Sequence, residues 1–540
     1  MRILFVAAEV APYVTVGGLS QVVYFLSRSL VKQGHDVRIF TAKHGTMLQN
    51  APEDNSWSFA LERKGLEIPV VNDNVSENRA VVERTDEGVA PPVPTETTDD
   101  GSITCDVLST RPKKGDSQCY FLDNKEYFGL RANVFGYADD STRFALLSKG
   151  CLEWLLYRHE HETRGAKESW RPDVIHCHDW HTSYLIDLAR RDRRYRKILA
   201  STPVVLTVHN FKYQGTRDYR YLPEEEKDTG LDPLLPIRSE SLAKQNALKR
   251  GLLFADAITT VSPTHAVEVL TPEYGEGLED TLNRVRGKLT GILNGIDTKE
   301  FNPATDPLIK KRFDRHRFVA ARAENKRSLQ KTFALGIDET RPLLGYVGRI
   351  ASQKGWDLLL ETLPPLLEER PEIQLVVLGS GDDRYRTALE ALKQRFPEQV
   401  GLHMLPDFRL PRKIFAGADI MLVPSVFEPG GIVALEALRY GSVPLVRRTG
   451  GLADSITDFD PNTRHGNGFS FVNKNAWSLY GSLVEALTIH AQPKLWERLV
   501  NNCLADDFSW EHAAGEYEEW YRSALRDRAR GSRRYYEKTA

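Results

Sequence analysis

The fold is decided by residues 419–436, which read DIMLVPSVFEPGGIVALE. An apolar run at 419–424 leads into a Pro-Gly-Gly turn that carries Glu428, and a segment with helical spacing follows with a second acid, Glu436. A strand, a glycine turn and a helix in this order are typical of a ligand-facing loop at the carboxyl edge of a parallel sheet. The free N–H groups at the start of such a helix favour a phosphate or a developing negative charge. An ordinary turn with a surface acid is the alternative.

Length and composition indicate a globular protein of two or three domains. The 540 residues exceed one ordinary domain, and the hydrophobic and charged fractions of 41% and 27% are typical of globular chains. The net charge of -2 gives no reason to expect nucleic acid or an anionic membrane as partner. No apolar run approaches the roughly 18 residues of a membrane helix. The five scattered cysteines indicate reduced thiols, so we expect a cytoplasmic protein.

The chain opens with the same kind of pattern. An apolar run at residues 2–8 predicts a buried strand, a turn with Gly17 and Gly18 follows, and a helical pattern ends at Gly34 before a second strand. Because the run is short and Glu9 interrupts the sequence behind it, we do not interpret it as a signal peptide. The unit lacks GxGxxG, so it is not the dinucleotide fingerprint. The glycine pair would let an anionic ligand approach the backbone; a glycine pair that is needed only for a tight turn is the alternative.

An insertion interrupts the first half. Residues 50–118 are rich in Asp, Glu, Thr and Pro and show little sustained periodicity. We expect a long insertion, part of it mobile, with a hairpin around residues 66–71.

A strand that ends in three histidines follows at residues 173–181, which read DVIHCHDWH. Histidine clusters can hold a metal ion, but no acidic or thiol partner falls at a familiar zinc spacing. We prefer a strand-end histidine that hydrogen-bonds a ligand, and we expect no metal.

Strands alternate with helices along both halves of the chain. Apolar runs at 202–210 and 257–262 continue the first half, and a turn at 294–297 closes it. The turn-rich segment 301–307, FNPATDP, is the predicted link. An apolar run at 342–347 then opens a second half with the same βαβ organisation. We therefore predict an α/β protein with two doubly wound domains that face each other across a central cleft.

The first turn of the second half carries two cations. Arg349 and Lys354 lie five residues apart in GRIASQKG, between a strand and a helix. An arginine fork and a mobile ammonium can neutralise a leaving diphosphate without a metal. Two ordinary surface cations are the alternative. We favour the diphosphate site because Glu428, Gly450 and Gly451 are predicted at the edge of the same sheet.

A series of motifs then carries a family resemblance over nearly the whole chain except the insertion. In order, they are MRILFVAAEVAP with GGL, HCHDWH, TVHNFKYQG, TTVSPTHA, YGEGLE, LNGID with FNP, GRIASQKG, FEPGG, VRRTGGLAD and DFSW. Together they resemble the bacterial glycogen and plant starch synthases, which are retaining GT-B glycosyltransferases that use a nucleotide-activated glucose. One such motif would be weak, whereas the whole set in the family's order is specific.

The resemblance implies a GT-B fold of two Rossmann-like domains. Residues 1–300 would form the acceptor and sugar domain, 301–507 the nucleotide-sugar domain, and 508–540 a helix that crosses back to the first domain. It also implies transfer of glucose from ADP-glucose to the non-reducing end of an α-1,4-glucan with retention of configuration. The donor is a substrate, and no cofactor is implied.

The resemblance also implies roles by motif position. Arg349 and Lys354 would hold the diphosphate as it leaves, Glu428 would lie by the transferred glucose, and His178 would touch that glucose. No side chain need act as nucleophile if the acceptor attacks from the front face. The remaining substrate-binding residues implied are Glu9, Thr15, Gly17, Gly18, Asp139, Asn246, Tyr346, Ser380, Gly381, Thr449, Gly450, Gly451 and Glu436.

Some positions depart from the family pattern. The lysine usual before the glycine pair is Thr15 here, the acid after it is Gln21, and the cysteine of FEPCG is Gly430. Glu436 completes an E-x7-E pattern that is more typical of the broader retaining GT-B families. Two alternatives therefore stay open: a retaining glucosyltransferase that uses UDP-glucose or another acceptor, and a weakly active glucan-binding homologue.

Overall fold

The structure is a computed structural model that describes residues 1–50, 57–73, 101–162, 170–216 and 222–539. The chain forms two compact units, which are described separately below. The first unit comprises Met1–Thr260, Ala266–Ile292 and the chain from Ala514 onward, and the second comprises Val261–His265 and Leu293–Ala513. Within the described ranges, no helix has both the length and the apolar character needed to cross a bilayer.

A nine-stranded sheet forms the centre of the first unit. The strands are β1 (Arg2–Val6), β2 (Asp36–Ala42), β3 (Phe59–Pro69), β4 (Ser102–Thr110), β5 (Gln118–Asp123), β6 (Val174–His178), β7 (Val204–Val208), β8 (Ala257–Thr260) and β9 (Leu289–Gly291). Their order is β3-β4-β5-β2-β1-β6-β7-β8-β9. The β3–β4 and β4–β5 pairs are antiparallel and the others are parallel. Ile3 to Val6 of β1 are 0% exposed, as in a strand that is covered on both faces.

Helices cover this sheet. They are α1 (Gly18–Lys32), α2 (Asp140–Glu162), α3 (Ser183–Arg191), α4 (Arg193–Ile198), α5 (Ala247–Phe254) and α7 (Glu279–Val285), while α6 (Pro263–Glu268) begins in the second unit and ends in the first. Strand β1, helix α1 and the parallel strand β2 confirm the predicted βαβ unit.

The described part of the insertion extends the sheet. Strand β3 runs unbroken through residues 66–69 and pairs antiparallel with β4, from Phe59 opposite Thr110 to Pro69 opposite Ser102. The predicted hairpin around residues 66–71 is therefore wrong, because the partner strand lies more than thirty residues further along the chain. Residues 51–56 and 74–100 of the insertion lie outside the described residues, and the mobility of part of the insertion stays a prediction.

The second unit contains a six-stranded sheet that is parallel throughout. Its strands are β10 (Leu343–Val347), β11 (Gln374–Leu378), β12 (Val400–His403), β13 (Ile420–Val423), β14 (Val443–Arg447) and β15 (Phe469–Phe471), in the order β12-β11-β10-β13-β14-β15. Its helices are α8 (Phe318–Thr332), α9 (Trp356–Glu369), α10 (Asp383–Arg395), α11 (Leu410–Gly417), α12 (Ile432–Arg439), α13 (Gly450–Ser455), α14 (Ala476–His490) and α15 (Pro493–Ala505). Because β10 lies between β11 and β13, the loops that follow these three strands are neighbours.

The last helix, α16 (Trp510–Thr539), begins in the second unit and continues in the first. The turn at 294–297, expected to close the first half, belongs to the second unit instead. The physical reason is its pairing with the segment before α16. The Ile296 N–H donates to the Phe508 carbonyl at 2.8 Å, and Gly295 lies against the Trp510 backbone so closely that a Cβ would come within 2.6 Å of it.

Candidate active site

Glu428 and Lys354 form an ion pair at the carboxyl edge of the second sheet. The Lys354 Nζ lies 2.5 Å from the Glu428 Oε2, and the same oxygen accepts a hydrogen bond from the Ser425 hydroxyl at 2.8 Å. The two ionic side chains are only 21% and 15% exposed, so solvent screens their attraction incompletely. Strands β13 and β10 are neighbours, which brings the loops that carry this acid and this cation together.

A glycine allows the close approach of these two loops. Gly355 precedes helix α9 with φ +80°, and a Cβ there would lie 2.1 Å from the Pro424 carbonyl oxygen. The neighbouring Gln353 ties the loops further: its carbonyl accepts from the Val426 N–H at 2.9 Å, and its side chain donates to the Phe427 carbonyl at 3.1 Å. Sequence analysis missed Gln353, although it lies inside the GRIASQKG motif.

Arg349 lies on the exposed side of the same turn. Its guanidinium donates to the Gln353 side chain at 3.3 Å, and its carbonyl accepts from the Tyr346 hydroxyl at 2.7 Å. Tyr346 is 3% exposed, and burial raises the pKa of its phenol. The tyrosine therefore supports the backbone of the turn, and its predicted contact with the substrate stays a prediction.

Ser380 and Gly381 lie beside the arginine turn. The Ile350 N–H donates to the Ser380 carbonyl at 2.9 Å, and the Asp382 N–H donates to the Ile350 carbonyl at 2.9 Å. A Cβ on Gly381 would lie 2.0 Å from the Ile350 carbonyl oxygen. The glycine is therefore needed where the loops after β10 and β11 pair.

The glycine pair at 450–451 packs against the backbone of the Glu428 loop. The Gly451 N–H donates to the carbonyls of Glu428 and Pro429 at 3.1 and 2.9 Å. Gly450 has φ +46°, and a Cβ there would lie 2.3 Å from the Glu428 carbonyl oxygen. Thr449, which precedes the pair, is 0% exposed. In this structure, these residues hold the acid loop in place.

Arg447 supports the same loop from the end of β14. Its Nε donates to the Ser425 carbonyl at 3.0 Å, and its Nη2 donates to the Val426 carbonyl. The side chain is buried, so its charge acts on these carbonyls with little solvent screening. Sequence analysis did not single out this arginine, although it belongs to the VRRTGGLAD motif.

Glu436, on helix α12, has different neighbours from Glu428. Burial raises its pKa to about 8, Arg412 opposes that shift, and Glu300 adds to it. Arg412 is itself ion-paired with Glu300. The two acids of the E-x7-E pattern therefore lie in separate electrostatic environments.

In the first unit, Glu9 shapes the glycine turn before α1. Its Oε2 accepts hydrogen bonds from the N–H groups of Val16 and Gly17 at 2.6 and 3.2 Å. Glu9 is 2% exposed, and burial raises its pKa to about 7, although the two N–H groups oppose that rise. Thr15, Gly17 and Gly18 are exposed, so the turn is open to solvent while the acid that holds it is buried.

His178 ends strand β6 inside the first unit. It is 0% exposed, its Nδ1 lies 3.2 Å from the His209 Nε2, and burial lowers its pKa well below the usual value. Its Nε2 is also buried and has no hydrogen-bond partner among the described residues. A neutral ring with a spare nitrogen could hydrogen-bond a sugar hydroxyl, but only after a local opening.

Asp179 follows His178 and was not predicted as a site residue. Its backbone has φ +58°, and its Oδ1 accepts from the His209 N–H at 2.7 Å. Burial raises its pKa to about 7, and its charge contributes to the raised pKa of Glu9. The signal that could have identified Asp179 is its place at a strand end in HCHDWH.

Asn246 and Asp139 have partners within the protein. Asn246 is 0% exposed and caps helix α5: its side-chain oxygen accepts from the Lys249 N–H at 2.9 Å, and its amide donates to Gln214 at 2.6 Å. Asp139 is ion-paired with Arg131 at 2.6 Å. Their contacts with substrate stay predictions.

The first histidine of the histidine-rich segment contacts two hydroxyl groups. His176 lies 2.8 Å from the Tyr521 hydroxyl and 2.6 Å from the Thr207 hydroxyl. In the part of the chain that the structure describes, no group of three or more His, Cys, Asp or Glu side chains is arranged to hold a metal ion.

Comparisons with known proteins agree along the length of the chain. The family model described as "Starch synthase catalytic domain" matches residues 2–284, and "Glycosyl transferases group 1" matches residues 328–502. A glycogen synthase of Geotalea daltonii is 36% identical over 98% of this chain and 100% of its own length. A glycogen synthase of Clostridium beijerinckii is 36% identical over 97% of this chain and 99% of its own.

Solved structures extend this agreement. The catalytic domain of starch synthase IV from Arabidopsis thaliana, bound to ADP and acarbose, matches with a TM-score of 0.75 and 31% identity over 97% of this chain and 99% of that chain. A sucrose-phosphate synthase from Thermosynechococcus elongatus shares the fold. It matches with a TM-score of 0.51 and 17% identity over 97% of this chain and 98% of that chain.

Proposed function

The chain belongs to the glycogen and starch synthase family of GT-B glycosyltransferases, and from this premise we propose that it extends an α-1,4-glucan. It would transfer glucose from ADP-glucose to the non-reducing end of the glucan with retention of configuration. The ADP bound by the Arabidopsis relative supports the choice of donor. The proposal includes no metal and no cofactor beyond the donor. The cytoplasm is the proposed compartment, because all five cysteines are buried free thiols.

The observation that carries the proposal is the Lys354–Glu428 pair with Arg349 on the same turn as Lys354. A donor diphosphate would attract both cations more strongly than one carboxylate does, since it carries more negative charge. Lys354 would then turn from Glu428 to the diphosphate. Glu428, still held by Ser425, would accept hydrogen bonds from hydroxyls of the transferred glucose.

The reaction then needs no nucleophilic side chain. The bond between the sugar C1 and the diphosphate oxygen breaks, and its electrons go to the diphosphate. The acceptor hydroxyl forms its bond to C1 on the same face and gives its proton to the departing diphosphate oxygen. Arg349 and Lys354 stabilise the negative charge that develops on the leaving group, which is the contribution that preorganised cations make to a rate.

The first unit would supply contacts to the sugar and the acceptor. The exposed glycine turn, whose Val16 and Gly17 N–H groups are held by Glu9, would let the donor approach the start of helix α1, and the neutral His178 ring would offer a hydrogen bond to the glucose. Asp139 and Asn246 would contribute to the shape of this surface. Glu436 and the loop at Ser380 would contact the nucleoside part of the donor.

Incorporation of radiolabelled glucose tests the proposal. ADP-glucose and UDP-glucose are offered separately, each with glycogen and with a maltooligosaccharide, and the Lys354→Ala variant is the control. Polymer growth from ADP-glucose is expected. Polymer growth from UDP-glucose alone would contradict ADP-glucose as the donor. Transfer only to a different sugar would contradict the α-1,4-glucan as the acceptor. Glucan binding without any transfer would favour the weakly active homologue, to which Thr15 and Gln21 point.

A further inference from the structure

An uncharged stripe lies on the solvent-facing side of helix α14. Trp477, Gly481, Val484 and Thr488 are spaced by four, three and four residues, so they share one face of the helix. Trp477 is 81% exposed and Val484 is 37% exposed. We call these four residues the α14 stripe. It runs for about 16 Å at 1.5 Å per residue, and the exposed Glu485, four residues after Gly481 and three before Thr488, borders it.

The stripe is not part of the hydrophobic core. Helix α14 packs on the second unit through its opposite face, where Leu479, Leu483 and Ala486 are each 0% exposed. Because that face accounts for the packing of the helix, the exposed indole is not needed to stabilise it. Large exposed apolar side chains that lie together on a surface commonly mark a binding site.

The glycine of the stripe is a second, independent observation. Gly481 lies in the interior of a 15-residue helix, where glycine weakens the helix relative to alanine. A Cβ built on it meets nothing within 4 Å, so no packing contact in the described chain requires a glycine there. What the glycine provides is an open surface one turn from the Trp477 ring, over which a ligand can approach the backbone.

Polar groups flank the stripe. The Tyr480 ring lies 6.3 Å from the Trp477 ring at an angle of 70°, and its hydroxyl is held by a 2.6 Å hydrogen bond to Glu369. At the start of the helix, the side chain of the exposed Asn475 is oriented by the Ser478 N–H at 2.8 Å. Two aromatic rings therefore stand beside hydroxyl and amide groups that are already fixed in position.

We propose that the α14 stripe is a second glucan-binding site, which holds the polymeric acceptor while its chain end reacts elsewhere. An α-glucan is uncharged, and its sugar rings present C–H faces that stack on aromatic rings as well as hydroxyls for hydrogen bonds. Those properties match an aromatic and aliphatic stripe with an amide, a hydroxyl and the Glu485 carboxylate at its edges as hydrogen-bonding groups, whereas a phosphorylated ligand would require cations. The proposal rests on the proposed function, because it assumes a polymeric acceptor.

Such a site would act through effective concentration. A glycogen particle held at the stripe keeps many chain ends near the reaction site, so its apparent affinity exceeds that of a free chain end. A maltooligosaccharide that is too short to reach both sites gains nothing. The stripe should therefore lower the KM for glycogen and leave the KM for maltotriose unchanged.

The test compares Trp477→Ala and Gly481→Gln with Phe408→Ala, which removes another exposed aromatic ring (93% exposed) from the same unit. Cosedimentation with glycogen is measured without donor, and KM is measured for glycogen and for maltotriose. We expect both stripe variants to bind glycogen at least about tenfold more weakly, the scale for truncating an aromatic anchor, and the control to bind like the parent. The unfolding temperature of Gly481→Gln should not fall, since glutamine favours a helix.

Unchanged glycogen binding in Trp477→Ala overturns the proposal. The proposal is also overturned if Trp477→Ala changes the molar mass of the protein in light scattering while glycogen binding stays the same. The stripe would then be an interface between proteins. If the parent transfers no glucose but Trp477→Ala still weakens glycogen binding, the proposed function fails and the second site stands. If the parent transfers glucose and Trp477→Ala has the same KM for glycogen as the parent, the proposed second site is wrong and the proposed function stands.

Discussion

At the scale of single residues, the ion pair between Lys354 and Glu428 joins the two loops that carry the proposed chemistry. Both side chains are mostly shielded, and Ser425 and Arg447 hold the acid and its loop. In the proposed mechanism, Lys354 turns from Glu428 to the diphosphate when the donor binds, so its charge is in place before the bond to the sugar breaks.

The first prediction concerns the two cations. Arg349→Ala and Lys354→Ala should each lower kcat by about a hundredfold or more, because a preorganised charge opposite the leaving diphosphate is lost. Initial rates with donor and glycogen measure the effect. Arg395→Ala is the matched control, since this arginine pairs with Glu368 on an exposed surface and should leave kcat unchanged. A loss of less than tenfold in both variants contradicts the assignment.

Glu9 predicts a dependence of stability on pH. Its pKa rises from 4.5 to about 7 on folding, so the folded protein binds the proton more tightly than the unfolded chain. The free energy of unfolding should therefore fall as the pH rises from 4.5 to 7, by up to about 3 kcal/mol from this group. Glu9→Gln keeps an acceptor for the two N–H groups and removes the titration.

Urea unfolding of the parent and of Glu9→Gln at pH 5 and pH 8 measures this difference. The parent should lose more stability than the variant over that interval. Glu361→Gln, at an exposed position of helix α9, controls for the loss of a carboxylate and should follow the parent. Equal losses in the parent and in Glu9→Gln would show that Glu9 does not titrate in this range.

At the scale of elements, glycines set how closely the loops of the second sheet approach one another. Gly355, Gly381 and Gly450 each lie where a Cβ would come within 2.3 Å of a carbonyl oxygen of a neighbouring loop. The four loops that follow β10, β11, β13 and β14 thus form one connected surface around the Lys354–Glu428 pair. No single loop could form that surface alone.

Gly355→Ala tests the importance of this close approach. The alanine would have a strained positive φ and would also clash with the Pro424 carbonyl. Gly115→Ala is the matched control, because Gly115 has φ +89° and a Cβ there meets nothing within 4 Å. The control should lose about 1 kcal/mol in the free energy of unfolding, and Gly355→Ala should lose more than twice as much. If denaturant titration shows equal losses in the free energy of unfolding for Gly355→Ala and Gly115→Ala, the clash with the Pro424 carbonyl has no energetic cost.

At the scale of the whole molecule, the first unit is completed by the end of the chain. Tyr517 and Tyr521 of helix α16 are 0% exposed, and the Tyr521 hydroxyl lies 2.8 Å from His176 of strand β6. Arg528 adds a hydrogen bond to the Ala200 carbonyl and an ion pair with Asp256. The first unit is therefore discontinuous in sequence.

A truncated chain tests this dependence. Ending the chain at Ala513 should weaken hydrogen-exchange protection in strand β6, because the truncation uncovers buried side chains and leaves the His176 ring without the Tyr521 hydroxyl. Strand β13 of the second unit should keep its protection. A chain that ends at Arg530 retains these contacts and is the control. Unchanged protection in β6 after the shorter truncation would contradict the role given to α16.

The fold class and most of the motif positions could be predicted from local sequence. Apolar runs that end in glycine turns predicted the strand–turn–helix units, because these signals depend on residues that are close in the chain. The same local reasoning failed at residues 66–71, where the partner strand β4 lies far along the chain. It also missed Gln353 and Arg447, whose importance comes from carbonyl groups on another loop.

The sequence by itself determined two α/β halves, the loops that carry the charged and glycine residues, and the resemblance to a family. The tertiary structure decided which groups meet: Lys354 with Glu428, the 450–451 glycines with the backbone of the acid loop, and Tyr521 with His176. It also decided that Glu9 and Asp179 are buried enough for their pKa values to rise to about 7. The physical reason is that strand order and burial depend on contacts between distant parts of the chain, whereas turns and helices depend on neighbouring residues.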